Sequence, residues 1–275
     1  MPVESIQAID VHAHFGEYWR EQGSRLVNLW LSADAEEVVR RAARTNVCLT
    51  VVSPLAGLLP RFHGDPVAAN PLASRIVSQT KGVLQWVIVD PLKPETFRQA
   101  EELLPLPHCV GIKIHPEEHG YAIREQGDAI FEFAAQHQAV VVTHSGEANS
   151  MPEDFVPFAD EFPSARLILA HLGCTCDGDP SHQVRAIQRS RQGNIYVDTS
   201  SAQSLMPGLI EWAVQEIGAE RILLGSDSPL YSISMQRSRI DKAEISDDDK
   251  RLILRDNAAR LLGLENLLGA QDDHR

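Results

Sequence analysis

Short apolar runs recur along the chain, and segments with helical periodicity separate them. Turn residues or a charged helix start bound each run, as expected for buried strands. The runs predict eight β-strands: Ala8–His14, Val47–Ser53, Val83–Asp90, Val110–His115, Ala139–His144, Arg166–His171, Ile195–Thr199 and Arg221–Asp227. Strands that alternate with helices form a parallel sheet, and eight repeats favour closure into a (β/α)₈ TIM barrel over an open sheet.

The helical segments carry apolar residues at three- and four-residue spacings between polar positions. They include Asp34–Thr45, Gly127–Gln138, Pro180–Arg191 and Pro207–Ile217. Two extra C-terminal helices are predicted after the eighth strand: one begins at Ser246, whose side chain can cap an acidic first turn, and the other spans Asn257–Leu264. The polar tail Gly269–Arg275 is expected to fray, and the irregular stretch Phe15–Ser32 is a candidate lid.

Length and composition favour one globular domain. The 275 residues match the roughly 250 of an α/β barrel, so residues 1–275 are expected to form a single domain. Apolar residues make up 43% of the chain and charged residues 23%, which is close to the average of globular proteins and excludes disordered and fibrous classes.

The charge balance narrows the expected partners. The chain has 25 Lys and Arg against 38 Asp and Glu, and the net charge of -13 repels nucleic-acid phosphates and anionic lipid. We therefore expect a small-molecule substrate, with neither nucleic acid nor a membrane as partner. The first residues do not resemble a signal peptide, so a cytoplasmic location is expected. The sparse cysteines are expected to be free thiols.

Two histidines end the first predicted strand. Side chains alternate along a strand, so Asp10, His12 and His14 share one face, while the apolar Ile9, Val11 and Ala13 are expected to face the helices. His12 and His14 would then point into the barrel at the strand's C-terminal end, where barrel enzymes build their sites. Two such imidazoles can reach one metal ion. The alternative is a pair of hydrogen-bonded core histidines, although barrel interiors are normally filled with branched apolar residues.

Three later strands end in the same way. His144, His171 and Asp227 each follow an apolar run and precede small or turn residues. Any one of them alone would more often be structural, but five such residues on strands one, five, six and eight indicate a metal site. Imidazole and carboxylate ligands suit zinc, manganese or iron, whereas calcium and magnesium prefer oxygen donors.

These motifs resemble the amidohydrolase superfamily, and within it the amidohydrolase-related group of metal-dependent hydrolases and decarboxylases. The resemblance covers nearly the whole chain and rests on five segments and a closing helix: Asp10–His14, Gly111–Pro116, Thr143–Gly146, Ala170–Gly173, Gly225–Pro229 and Asn257–Leu264.

The resemblance implies roles for the clustered residues. His12, His14 and His144 would be metal ligands, Asp227 would be a ligand or the base that takes a proton from water, and His171 would be a second ligand or a catalytic acid or base. The metal is expected to be divalent, with Zn²⁺ as the first expectation and Mn²⁺ as the second. The group also suggests a homodimer.

Lys113 and His115 share one face of the fourth strand and are expected to contact substrate. In binuclear members of the superfamily a lysine on this strand is carboxylated and bridges two metals. Three alternatives stay open for Lys113: that bridge, an ammonium that pairs with Asp227 or holds a substrate carboxylate, and a structural ion pair. Arg20, in the first strand–helix loop, is a further candidate anchor for an acidic substrate, as are Arg61 and His63.

Other polar residues follow strand ends without a specific motif. Asp90, Glu147, His182 and Asp198 could reach the mouth of the site. Cys174 stands where the resembled group has a small residue, and Cys176 follows two positions later. Both are interpreted as loop fillers rather than as ligands or nucleophiles.

The leading functional hypothesis is a metal-dependent hydrolase that attacks a small ester, lactone or amide with metal-activated water. The alternative is a metal-dependent non-oxidative decarboxylase of a small unsaturated or aromatic carboxylic acid, since the same residues could chelate a carboxylate and protonate carbon. A metal-dependent deoxyribonuclease would carry a glutamate at Lys113, and the net charge opposes DNA binding. A barrel that binds a metabolite without catalysis is the remaining class.

Overall fold

A computed structural model describes residues 3–21, 23–59, 64–201 and 204–265. The chain forms eight parallel strands: β1 (Ala8–Phe15), β2 (Val47–Pro54), β3 (Val83–Ile88), β4 (Cys109–Ile114), β5 (Val140–Thr143), β6 (Arg166–Leu169), β7 (Ile195–Asp198) and β8 (Ile222–Leu223). The strands lie in sequence order, β1 to β8, within one sheet. The predicted (β/α)₈ barrel is confirmed.

The sheet closes on itself between β8 and β1. Val11 N donates to Leu224 O at 2.9 Å, and Ser226 N donates to His12 O at 3.1 Å. Ala13 also forms a parallel bridge with Ser228. Because β8 is regular only over Ile222–Leu223, the residues that follow it complete the barrel with irregular backbone.

Helices follow the strands and cover the outside of the barrel. They are α1 (Arg25–Trp30), α2 (Ala35–Ala43), α3 (Leu55–Leu58), α4 (Pro66–Gln79), α5 (Glu95–Leu103), α6 (Pro116–His119), α7 (Ile123–Gln136), α8 (Val156–Glu161), α9 (His182–Arg189), α10 (Leu209–Ile217), α11 (Ile233–Asp241), α12 (Asp247–Arg251) and α13 (Asn257–Leu262). None of the helices in these described ranges has the length and apolar character needed to cross a membrane.

Apolar side chains fill both faces of the sheet. Ile112 and Val141 face outward and pack with Phe131 of α7. Inside the barrel, one cluster joins residues of six strands around Trp86. Ile9, Val11 and Ala13 were predicted to face the helices. Ile9 and Val11 instead belong to this inner cluster, so the prediction was wrong for both, and only Ala13 packs outward. The cause is a register shift between Asp10 and Ala13 that breaks the regular alternation of β1.

The C-terminal part differs from the predicted pair of helices. The predicted cap is present, because Asp249 N donates to Ser246 Oγ at 3.1 Å. However, α12 and α13 form one continuous helix, joined by a π-helical turn at Leu252–Asp256, and α11 precedes them without having been predicted. Two helices therefore still follow the barrel. α13 packs against the inner cluster and closes the N-terminal end of the barrel.

The candidate lid after β1 is partly ordered by backbone hydrogen bonds. Gly16 and Ala33 pair across its base, with N–O distances of 2.6 and 3.1 Å, and α1 lies between them. Trp19 and Trp30 on this segment are 57% and 64% exposed. Arg61, His63 and the tail Gly269–Arg275 lie outside the described residues.

Candidate active site

A cavity of about 340 Å³ opens at the C-terminal ends of the strands. All eight residues predicted to form the site line it: His12, His14, Arg20, Lys113, His115, His144, His171 and Asp227. Barrel geometry explains the convergence, since the C-terminal ends of all parallel strands meet at one rim. Apolar parts of the cavity wall come from Tyr18, Leu58 and Tyr231.

Three of these side chains form a compact group of potential metal ligands. His12, His14 and Asp227 are buried, and one ligand atom from each lies within 4.8 Å of the others. His14 Nε2 is 2.9 Å from Asp227 Oδ1, and His12 Nε2 is 3.7 Å from the same oxygen. Two nitrogens and one oxygen this close together can hold a divalent transition metal.

Residues behind the group fix the orientation of both imidazoles. His12 Nδ1 donates to Asp198 Oδ2 at 2.8 Å, which leaves the lone pair on Nε2 facing the cavity. His14 Nδ1 lies 2.9 Å from Ser53 Oγ. A hydroxyl can either donate or accept, so Ser53 permits the His14 tautomer that metal ligation needs. A hydrogen-bonded second nitrogen is typical of metal-ligating histidines.

His171 and His144 form a hydrogen-bonded row beside this group. His171 Nδ1 lies 2.7 Å from Ser200 Oγ, and its Nε2 lies 3.1 Å from His144 Nδ1. His144 Nε2 reaches Glu147 at 3.1 Å. Both ring nitrogens of His144 are therefore engaged outside the compact group, and its role as a metal ligand stays a prediction.

His115 stacks on His144 and also caps a helix. The two rings are parallel, with centroids 4.3 Å apart. His115 Nδ1 accepts a hydrogen bond from Glu118 N at the start of α6. Burial, followed by the charges of His144 and Lys113, holds the pKa of His115 well below its usual value. His115 therefore presents a neutral ring to the cavity.

Lys113 is almost fully buried at the floor of the cavity. Its ammonium donates to His12 Nε2 at 2.9 Å. Burial lowers the pKa of Lys113 to about 8, although the negative charges of Asp227 and Asp198 oppose the shift. The Lys113 ammonium therefore lies next to the lone pair of His12 Nε2.

The charge states of the group suit ligation. Burial lowers the pKa of His14 to about 4, so its imidazole is neutral. Burial raises the pKa of Asp227, but the hydrogen bond from His14 and the electrostatic interaction with His12 outweigh it and hold this pKa well below the usual range. Neutral imidazole and ionised carboxylate are the forms that bind metals.

Two of the predicted site residues adopt left-handed backbone conformations. The φ angles are 71° at His171 and 58° at Asp227. Non-glycine residues rarely occupy this region, and such strain is concentrated at functional sites. The apolar runs before each residue gave no sign of it.

The candidate residues that lack a specific motif lie in different parts of the structure. Glu147 and Cys174 line the cavity, whereas Cys176 is exposed. Asp198 does not reach the mouth as expected, because it is buried behind His12. Asp90 is also buried away from the cavity lining, and His182 instead contacts Glu153 and Asp177.

Sequence reasoning missed Ser53 and Ser200 as partners of the site histidines. Ser53 follows a run of β-strand residues in β2, and Ser200 lies two positions after Asp198 at the end of β7. A polar residue at a strand's C-terminal end was the available signal, but serine is common in loops. Their function is visible only through contacts with His14 and His171, far away in the sequence.

Comparison with known proteins gives a family match and several proteins of the same fold. The family model of the amidohydrolases matches residues 9–264, which is nearly the whole chain. No curated protein matches the sequence.

Several solved structures share the fold at low sequence identity. A 2,6-dihydroxybenzoate decarboxylase from Rhizobium has a TM-score of 0.74 and 13% identity, over 94% of this chain and 99% of the other. A dihydroxybenzoic acid decarboxylase from Polaromonas sp. JS666, with bound manganese and 2-nitroresorcinol, has a TM-score of 0.72 and 16% identity over 94% and 97%. A putative 2-pyrone-4,6-dicarboxylic acid hydrolase from Pseudomonas putida has a TM-score of 0.65 and 16% identity over 94% and 98%.

Proposed function

Because the chain belongs to the amidohydrolase family, we propose that it is a metal-dependent enzyme that removes the carboxyl group of a small aromatic or unsaturated carboxylic acid. The observation that carries the proposal is the pairing of a His12–His14–Asp227 group with the buried Lys113 ammonium in one cavity. Such a site attracts a carboxylate. The structural similarity to decarboxylases supports this choice over hydrolysis.

The residues fit a divalent metal. His12 and His14 offer neutral nitrogens, Asp227 offers an ionised oxygen, and Asp198 and Ser53 already orient the two imidazoles. The ammonium of Lys113 lies 2.9 Å from His12 Nε2, so the lone pair on this nitrogen is directed at a positively charged group. Mixed nitrogen and oxygen donors suit Zn²⁺ and Mn²⁺. The manganese in one structural neighbour favours Mn²⁺ for this proposal, with Zn²⁺ as the second choice.

The cavity suits a small planar anion. Its volume of about 340 Å³ is at the lower end of small-molecule sites. We assign Lys113 to the substrate carboxylate, His115 to the face of the substrate ring, and Arg20 to a polar substituent at the mouth. The guanidinium of Arg20 lies over the Tyr18 ring, 5.7 Å from its centroid, which holds it beside the opening.

A bound divalent ion would supply the positive charge that withdraws electrons from the reacting carbon. Asp227 is ionised, so it can take a proton from a substrate hydroxyl or from water and return it to carbon. The bond between that carbon and the carboxyl group breaks, its electron pair stays on carbon, and CO₂ leaves. Ser200 orients the neutral His171, which can donate a hydrogen bond to the negative charge that develops on the substrate.

Hydrolysis of a lactone or ester is the second candidate. The ionised Asp227 can equally accept a proton from water during attack on a carbonyl. One structural neighbour is a putative hydrolase of a pyrone dicarboxylic acid. A carboxylated lactone would use the same Lys113 and Arg20 contacts.

One experiment separates the two reactions. The protein, loaded with Mn²⁺ or Zn²⁺, is incubated with hydroxybenzoic acids and unsaturated acids in D₂O, and with lactones and esters in ¹⁸O-labelled water. Decarboxylation predicts CO₂ release and one deuterium on the carbon that lost it. The Asp227→Asn variant serves as the background control.

Absence of CO₂ from every acid, together with ¹⁸O in the product of a lactone or ester, would replace decarboxylation by hydrolysis. A protein that retains no stoichiometric metal and turns over neither class would contradict both reactions and favour a binding protein.

A further inference from the structure

A second cleft, of about 360 Å³, lies at the opposite end of the barrel from the catalytic cavity. It is bounded by the starts of β6, β7 and β8 and by α13. Three arginines line it: Arg166 is the first residue of β6, Arg221 directly precedes β8, and Arg260 lies on α13. Tyr196 of β7 forms part of the wall, and Glu220 is the acidic residue of the lining.

Neutral groups hold two of the guanidinium groups in place. Arg166 donates from its two terminal nitrogens to Leu261 O and Gln138 O, both at 2.9 Å. Arg260 donates to Asn257 Oδ1 at 2.7 Å. A guanidinium has five N–H donors, so both arginines keep most of theirs for another acceptor.

The third guanidinium is held in the same way. Arg221 donates to the backbone oxygen of Gly193. Its guanidinium also lies over the Tyr196 ring, 5.3 Å from the centroid. Stacking on an aromatic ring fixes the plane of an arginine without using its hydrogen-bond donors.

This cleft concentrates three arginines in a protein with a net charge of -13. Several arginines elsewhere pair with acids, as Arg124 does with Asp154 and Arg191 with Asp160. Within the described part of the chain, Arg166, Arg221 and Arg260 make no ion pair. Three oriented cations against one acid leave the cleft positively charged.

We propose that the cleft binds a small molecule carrying a diphosphate group, independently of the catalytic site. The planar guanidinium of arginine can donate two parallel hydrogen bonds to two oxygens of one phosphate group. The volume equals that of about twelve water molecules at about 30 Å³ each, which exceeds a single phosphate. Three guanidiniums spread around the cleft suit two linked phosphates better than one.

The test measures binding of inorganic pyrophosphate by calorimetry at fixed ionic strength, beside thermal unfolding. Wild type is compared with the Arg221→Gln/Arg260→Gln double variant. The matched control is Arg75→Gln/Arg98→Gln, which removes the same charge from exposed arginines outside the cleft. All proteins are brought to the same metal content, because pyrophosphate also binds divalent metals. Citrate is the non-phosphate anion for comparison.

We expect pyrophosphate to raise the Tm of wild type and of the control. The cleft variant should bind at least about tenfold more weakly, as loss of charge-assisted hydrogen bonds predicts. Arg260→Gln alone, an exposed position, provides the same test if the double variant unfolds. The proposal is overturned if wild type does not bind pyrophosphate, if the control loses as much affinity as the cleft variant, or if citrate binds equally well.

Discussion

The Nδ1 partners of the site histidines determine which nitrogen faces the cavity. His12 and His14 each use Nδ1 for a side chain behind the site, and so direct Nε2 toward Asp227. His12 depends on a buried carboxylate, whereas His14 depends on a hydroxyl. The carboxylate of Asp198 fixes one tautomer of His12, while the hydroxyl of Ser53 is compatible with either tautomer of His14. The two histidines therefore differ in how firmly the tautomer with a lone pair on Nε2 is set.

Asp227→Asn is expected to lower turnover by about 10²–10⁴-fold at saturating metal, with little change in KM. The amide keeps the shape of the side chain but cannot accept the proton that the ionised carboxylate takes. Steady-state kinetics on the substrate identified by the CO₂ assay provide the measurement. Asp177→Asn, which changes an aspartate outside the cavity, is the control. Wild-type turnover in Asp227→Asn would assign this residue a structural role only.

Asp198→Asn is expected to weaken metal binding by about 10–100-fold. Asp198 lies behind His12 and does not line the cavity, so it acts as a positioning residue: the loss should appear in metal titration, with turnover recovered in part at saturating metal. Asp90→Asn changes another buried aspartate at a strand end, away from the cavity lining, and should keep wild-type affinity. Equal metal affinity in Asp198→Asn and wild type would contradict the positioning role.

At the scale of elements, apolar periodicity predicted the strands well because each is buried on both faces. The exception is the end of the eighth strand, where Arg221–Asp227 was predicted and only Ile222–Leu223 is regular. Asp227 adopts a positive φ there, and the backbone leaves strand geometry to deliver its side chain to the cavity. Gly225 and Ser226 are turn-forming residue types, but they do not indicate that the strand ends as early as Leu223 or that Asp227 takes the positive φ.

α11 escaped prediction because two of its four buried residues are polar. Gln236 and Arg237 are buried and bond to backbone oxygens of Ser201 and Ile6, among others, where a typical helix would bury leucine or valine. The candidate site could likewise be predicted only in part. Its ligand candidates end strands and could be predicted, but Asp198 stands 186 positions from His12, and no local pattern joins them.

The start of α9 offers a test of pH dependence. His182 lies between Glu153 and Asp177, 2.8 and 2.9 Å away. Burial opposes the shift, but the hydrogen bonds and charges of both acids outweigh it and raise the pKa of His182 above 6.5. The stabilising effect of the charged form is thus complete below the unfolded pKa, and it is lost as the pH rises through the folded pKa.

We therefore expect His182→Gln to reduce the free energy of unfolding more at about pH 5.5 than at about pH 8.5. Denaturant unfolding of both proteins across this range gives the difference directly. Ser78→Ala, on the exposed face of α4, removes no titratable group, so its difference from wild type should not vary with pH. A constant difference for His182→Gln would show that its two acidic neighbours do not stabilise a charged imidazole in solution.

At the scale of the whole molecule, the barrel separates its core from its two polar ends. The inner cluster around Trp86 and the outer cluster around Phe131 hold the strands and helices together without using the cavity residues. α13 closes one end of the barrel, and the histidines and Asp227 occupy the other. Folding and metal binding should consequently be separable, since the apolar clusters do not require an ion.

Removal of the divalent metal by a chelator is accordingly expected to abolish turnover while the barrel stays folded. Metal bound only to the folded state adds about 2.7 kcal/mol of stability at a hundredfold excess over its Kd, so the Tm should fall by several degrees on removal. Circular dichroism should keep its native form, and Mn²⁺ or Zn²⁺ should restore both Tm and activity. His12→Ala/His14→Ala removes two ligand candidates, so its Tm should not respond to chelator or metal. Full activity of wild-type protein without metal, or a metal-dependent Tm in the double variant, would place the catalytic ion elsewhere or remove it from the reaction.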